Sequence, residues 1–325
     1  MPDTPMTAAP ARTLAIACSL RPERVAFLRA HPARPRVTEI AEPDAPWRLP
    51  EGAEILVSEA RGWPEAPRER PAGWPGTLKW VHFASTGIDG YPDWIFDVPH
   101  VTCGRGVNAA AISEYVLGAM LLHEKRFLET LTTSRAGWKQ IPLGGLEGKV
   151  LGLIGLGSIG GAIAHRALAF GMSVVAYRRS GAAHENASVR IVDDPGAVFA
   201  RADHVAIAAP LTPLTRHLVS GAVLARAKPG LHLVNIARGA IIDDEALLGA
   251  LAEGRLAAAT LDVTEPEPLP EGHAFYSHPK IRLTPHVSWS AGGMTERLMT
   301  PLAANIDRYL AGAALEERVD KEHGY

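Results

Sequence analysis

Cysteine is scarce: Cys18 and Cys103 are the two in 325 residues. That is too few for a disulfide framework and fits a reduced, cytoplasmic setting. Charge imbalance is also missing. The formal net charge is -2, so no global field draws in nucleic acid or a membrane surface. Long apolar runs are absent as well. The longest, AAAISEYVLGAMLL (109–122), is broken by Glu114 and too short to span a bilayer. The first apolar stretch, TLAIACSL from Thr13, is short and has no basic segment before it, so it reads as a core strand rather than a leader. There is no internal repeat and no low-complexity segment, and no metal site is expected.

What is present suffices for a sizeable core. Hydrophobic residues make up 47% of the chain, and its length suits two domains or one large one. Residues 13–18 read as a buried strand, with short strands near 36–40, 54–57, 80–83 and 98–102. Between 41 and 76 the chain is dense in Pro, Gly and Trp, which predicts irregular surface structure. After about residue 104 the pattern changes. A long apolar helix starts near Asn108, a candidate N-cap, and residues 137–148 form a loop. Strands are then predicted at 150–154, 173–177, 204–208, 231–236 and 257–262, with helices at 158–170, 194–201 and 243–253. A last helix runs from 292 to about 311. Apolar strands alternating with helices predict a parallel sheet covered on both faces.

The stretch VLGLIGLGSIGG places Gly155, Gly157 and Gly160 as G-x-G-x-x-G between a buried strand and an amphipathic helix. The first glycine permits the tight turn, the second lets a pyrophosphate approach, and the third lets helix and strand pack closely. Ser158 and Ile159 begin the helix, whose free N–H groups and positive dipole end suit phosphates. The fingerprint also expects a carboxylate at the end of the second strand, to hold a ribose 2′-hydroxyl. That strand instead ends in Arg178, Arg179 and Ser180. Guanidinium groups there suit a 2′-phosphate, which predicts NADP(H) rather than NAD(H). The plain alternative is a solvated strand end.

Three motifs follow downstream. LVNIARGAIIDDEAL (233–247) puts Arg238 directly after a buried strand. LDVTEPEPL (261–269) carries Asp262, Glu265 and Glu267, and TPHVS (284–288) carries His286. Hydride transfer to a carbonyl needs a proton donor for the new alkoxide, and a histidine can supply it. A glutamate beside the histidine orients the ring and favours imidazolium, and an arginine can clamp a neighbouring carboxylate.

Those stretches, together with STGIDGY (85–91), SEYVLGAML (113–121), GKVLGLIGLGSIG (148–160) and APLTPLTRHLV (209–219), run in one order from about residue 80 to 290. In this the chain resembles the D-isomer-specific 2-hydroxyacid dehydrogenase family. The resemblance implies an α/β architecture of two domains. A Rossmann-type doubly wound parallel sheet (104–289) is inserted into a smaller flavodoxin-like substrate domain (1–103 plus 290–325), with the active site in the cleft between them. It implies that Arg238 receives the substrate carboxylate, that Glu267 is the catalytic carboxylate with Glu265 a bystander, and that His286 is the acid/base. Thr86 and Gly87 match the family's carboxylate-receiving loop. Pro210, Thr212, Ala237, Asp262, His286 and Ser288 match positions bordering the cofactor, and the helix over 108–130 would serve a homodimer. Two places depart from the family pattern: Gly90-Tyr91 after Asp89, and Trp289, where a small residue is usual. Trp289, Trp138 and Tyr91 are candidates for lining the pocket, although packing is the ordinary use of such side chains.

The expected activity is NADP(H)-dependent reduction of small 2-keto acids, of glyoxylate or hydroxypyruvate type, to D-2-hydroxy acids. Two alternatives stay open: a dinucleotide-sensing corepressor or scaffold of the same fold, and a formate or phosphite dehydrogenase.

Overall fold

The computed structural model describes residues 13–180, 186 and 188–321. The chain divides into two compact units, Met1–Arg105 with Gly293–Tyr325, and Gly106–Gly292.

The first unit is built on five parallel strands, β1 (Ala15–Ser19), β2 (Arg36–Glu39), β3 (Ile55–Ser58), β4 (Trp80–Phe83) and β5 (His100–Cys103), in the order β2-β1-β3-β4-β5. This is the flavodoxin order. The central strands ILVS and WVHF are buried along their whole length, as strands covered on both faces must be. On one face α1 (Pro22–Arg29) and the C-terminal helix Met294–Leu310 bring Val25, Leu28, Met299, Leu302 and Ile306 against Ile16, Ile55 and Trp80. The other face is aromatic: Trp63, Trp74, Trp94 and Phe83 pack together. Residues 41–76 are therefore irregular but not superficial, because Trp63 and Trp74 leave the turns and enter the core.

The second unit opens with α2 (Ala109–Glu124), which starts after Asn108, although the Asn108 side chain makes no capping bond. The helix ends short of 130, because Arg126 turns left-handed (φ 47°) and a separate turn, α3 (Phe127–Thr130), follows. Among the described residues, seven strands follow, all but β7 and β8 separated by helices: β6 (Val150–Ile154), α4 (Ser158–Ala169), β7 (Ser173–Tyr177), β8 (Val189–Val192), α5 (Pro195–Phe199), β9 (His204–Ile207), α6 (Gly221–Leu224), β10 (Leu231–Asn235), α7 (Asp244–Ala252), β11 (Leu256–Leu261), α8 (Ala274–Ser277) and β12 (Ile281–Leu283). The sheet is parallel throughout, in the order β12-β11-β10-β9-β6-β7-β8. The order reverses between β6 and β9. In a doubly wound sheet the crevice beyond the carboxyl ends of that pair is where ligands bind.

Candidate active site

The turn after β6 has the shape the glycine spacing predicts. Gly155 sits at φ 100°, and a Cβ there would lie 2.7 Å from the Ala208 carbonyl group. A side chain would thus collide with the backbone leaving β9. A Cβ at Gly160 would overlap the Gly155 carbonyl oxygen, so α4 rests directly on the turn. Gly157 instead faces open space, and both it and Ser158 are exposed. No side chain caps α4, and its first backbone acceptor, Gly157 O, bonds the N–H of Gly161 at 2.8 Å. The N–H groups of Ser158, Ile159 and Gly160 lie in the first turn, where no intrahelical acceptor exists. A pyrophosphate fits this cradle. The loop leaving β9 is braced internally, with Thr215 Oγ1 donating to Pro210 O (2.7 Å) and accepting from Thr212 N (2.8 Å).

β7 ends at Tyr177. Beyond it Arg178 is half-buried, and Arg179 and Ser180 are exposed. No carboxylate occupies residues 178–180.

The chemistry-bearing groups of this unit gather on three loops at the carboxyl ends of β10, β11 and β12. Asn235, fully buried at the end of β10, donates through its amide nitrogen to Arg238 O (2.9 Å) and accepts Ala237 N (3.1 Å), fixing the turn that presents Arg238. Arg238 Nη1 donates to Ala237 O at 2.7 Å.

After β11, Glu267 Oε2 lies 2.9 Å from His286 Nδ1, and Glu267 Oε1 accepts Thr264 N at 3.1 Å. Burial pushes the Glu267 carboxyl up. The hydrogen bond and charge of His286, the Thr264 N–H and the charge of Arg238 outweigh it and hold the group below the ordinary carboxylate range. Glu265 points elsewhere, to a two-pronged pair with Arg216 at 2.9 and 3.0 Å. Of the two glutamates only Glu267 meets the histidine. Because a carboxylate only accepts, Nδ1 of His286 carries the ring proton and Nε2 is left to exchange one.

Asp262 is buried, and its carboxylate is occupied by the His286 loop. Oδ1 accepts Val287 N (2.9 Å) and Thr284 Oγ1 (2.5 Å), and Oδ2 accepts Ser288 N (2.9 Å). Thr284 in turn meets Tyr115 of α2 at 2.6 Å. Ser288 is buried beneath the loop. Nothing in the sequence singles out Tyr115 or Thr284, because each is an ordinary residue whose partner is distant in the chain, and Asn235 acts through bonds within its own turn that show only in the folded backbone. The acidic stretch around Asp262 was the only available signal for its partners.

In the first unit Thr86 Oγ1 donates to Gly104 O (3.0 Å), and Gly87 is half-buried beside it. Tyr91 stacks on Phe83, with centroids 3.7 Å apart, and its hydroxyl meets Ser85 Oγ at 2.8 Å. Tyr91 therefore packs. Trp138, in the second unit, is 80% exposed.

The family model for the NAD binding domain of D-isomer specific 2-hydroxyacid dehydrogenase matches residues 117–288. The chain belongs to the D-isomer specific 2-hydroxyacid dehydrogenase family. It is thus an NAD(P)-dependent oxidoreductase. A D-3-phosphoglycerate dehydrogenase of Methanocaldococcus jannaschii is 35% identical over 75% of this chain, but the match spans about half (48%) of that longer protein. Glyoxylate/hydroxypyruvate reductase A of Serratia proteamaculans is 32% identical over 77% of this chain and 82% of its own. A D-isomer specific 2-hydroxyacid dehydrogenase of Xanthobacter autotrophicus Py2, solved with NADPH and MES, superposes with a TM-score of 0.82 at 26% identity. It covers 97% of this chain and all of that one. No helix among the described residues is long and apolar enough to cross a membrane.

Proposed function

We propose that this enzyme is an NADP(H)-dependent reductase of small 2-keto acids that yields D-2-hydroxy acids. The observation that carries the reading is the 2.9 Å contact between His286 Nδ1 and Glu267 Oε2, with the charge of Arg238 felt at the same carboxylate. The Gly155–Gly160 turn would hold the pyrophosphate of the dinucleotide, whose nicotinamide would supply the hydride. The chain's own groups do the rest. Glu267 fixes the ring, and His286 gives up a proton from Nε2 to the oxygen of the reduced carbonyl. The Arg238 guanidinium clamps the substrate carboxylate. Ala237, Pro210, Thr212 and Ser288 border the cofactor, while Asp262 fixes the loop beneath it.

Arg178, Arg179 and Ser180 receive the 2′-phosphate. The NADPH-bound relative and the glyoxylate/hydroxypyruvate reductase support the cofactor and the substrate class. A second copy of the chain is the partner in solution. Phe127, Leu128, Leu131, Trp138 and Leu143 are each at least half exposed on one segment after α2, an apolar surface of the kind that marks an interface. The free, buried thiols of Cys18 and Cys103 fit the cytoplasm.

The test is NADPH consumption against glyoxylate, hydroxypyruvate, pyruvate and bulkier 2-keto acids. Turnover should be fastest with the small acids. No turnover with any of them, or oxidation of formate or phosphite instead, would refute the reading. His286→Ala should lower kcat by roughly 10²–10⁴-fold while NADPH binding survives.

A further inference from the structure

His286 carries a backbone that a histidine rarely adopts. Its φ is 51°, in the left-handed region, a conformation that surrounding contacts must impose. Both of its backbone polar groups are pinned. The N–H donates to Asp262 O (2.8 Å) and Thr284 O (3.0 Å). The carbonyl oxygen accepts the indole N–H of Trp289 at 2.8 Å. Trp289 is half-buried, packed against the core that α2 and α4 share, so the donor comes from an anchored ring.

We propose that Trp289 is a positioning residue for His286: its indole N–H locks the left-handed backbone from which the imidazole reaches Glu267. The proposal rests on the reading of His286 as the acid/base. The ring packs on one side, and its only polar atom is aimed at the backbone of the catalytic histidine. Asp262 holds the same loop from below through Val287 N and Ser288 N. That carboxylate cannot hold the carbonyl of His286, because both only accept, so a separate donor is needed there.

The test is a double-mutant cycle with a spectroscopic check. Trp289→Phe keeps an aromatic ring and removes the donor. It should lower kcat for the keto acid by about threefold to tenfold, the usual worth of one hydrogen bond, with KM for NADPH unchanged. In a Glu267→Ala background, where the ring has lost the partner it was aimed at, the same change should cost less than about twofold. If Trp289→Phe does not fold, replacing the indole with an isosteric benzothiophene removes only the N–H. In the cofactor-free protein, the Trp289 indole proton, assigned by its loss in Trp289→Phe, should exchange with solvent far more slowly than that of exposed Trp138. Equal fractional losses in the two backgrounds, no loss in the parent, or exchange as fast as that of Trp138 would overturn the positioning role. His286→Ala, assayed alongside, separates the two claims, because parental turnover there would remove the acid/base reading itself.

Discussion

Gly239 lies flat against Thr264. A Cβ at Gly239 would overlap the Thr264 carbonyl carbon and come within 2.5 Å of Glu265 N. The turn carrying Arg238 and the loop carrying Glu267 thus touch backbone to backbone, and only glycine allows it. Gly239→Ala should push the Glu267 loop away from its place. It should destabilise the second unit by roughly 1–3 kcal/mol, the usual cost of overpacking, and lower kcat by more than tenfold. Thermal melting and steady-state rates check this. A parental melting temperature together with parental kcat would show that the two loops do not depend on each other.

Asp262→Asn should loosen the His286 loop without touching the ring. An amide offers one acceptor oxygen where the carboxylate offers two, and it turns an NH₂ toward Val287 N or Ser288 N. Losing charge-assisted bonds at a buried site costs about 1.5–3 kcal/mol, so urea denaturation should show a loss of that size. A stability equal to that of the parent would mean the loop is held by other contacts.

Much of this was legible beforehand, and what was missed has physical causes. β6 and β7 fall where apolar runs and flanking glycines put them, because buried parallel strands announce themselves. β8 (VRIV) and β12 (IRL) were missed because edge strands are short and half polar. α1 was missed because its apolar residues, Val25 to Leu28, run consecutively instead of recurring at helical spacing, and only three of its residues are buried. Trp63 and Trp74 were read as surface because nothing in a Pro- and Gly-rich stretch says which way an indole turns. Glu267, His286 and Arg238 were findable from motif order. Thr284 and Tyr115 were not, since each depends on a partner distant in the chain, nor were Asn235 and the donor role of Trp289, whose bonds span only three residues but require the particular turn each one closes.

Acid should destabilise both units through buried histidines. Burial pushes His82 down to about 4 in the first unit and His204 down to about 4 in the second, the latter despite Glu124 nearby. In the unfolded chain both titrate near 6.5. Between those values the unfolded state binds more protons, so their contribution is complete above about pH 6.5 and falls as pH drops toward 4. By pH 5 each histidine should have cost about 2 kcal/mol. Urea denaturation at pH 7.5 and 5.0 measures this, and His82→Asn should flatten the dependence of the first unit. Stability unchanged between the two pH values would contradict it.

Arg238→Lys preserves charge but not the planar fork. Its kcat/KM for the keto acid should fall roughly a hundredfold, as misplacement of a clamped substrate does, with little change in NADPH binding. If lysine serves as well as arginine, the carboxylate is not held by a two-pronged contact.

The central claim is reduction of a 2-keto acid with a phosphorylated dinucleotide, and cofactor choice tests it most directly. kcat/KM for NADPH and NADH should be measured with one small 2-keto acid at one fixed salt concentration. Arg178, Arg179 and Ser180 at the end of β7, with no carboxylate among them, predict a preference for NADPH of at least about tenfold, near 1.4 kcal/mol. The preference should shrink as ionic strength rises and reverse in Arg178→Asp combined with Arg179→Ala. Equal use of NADH by the parent enzyme would show these arginines to be a solvated strand end and contradict the account.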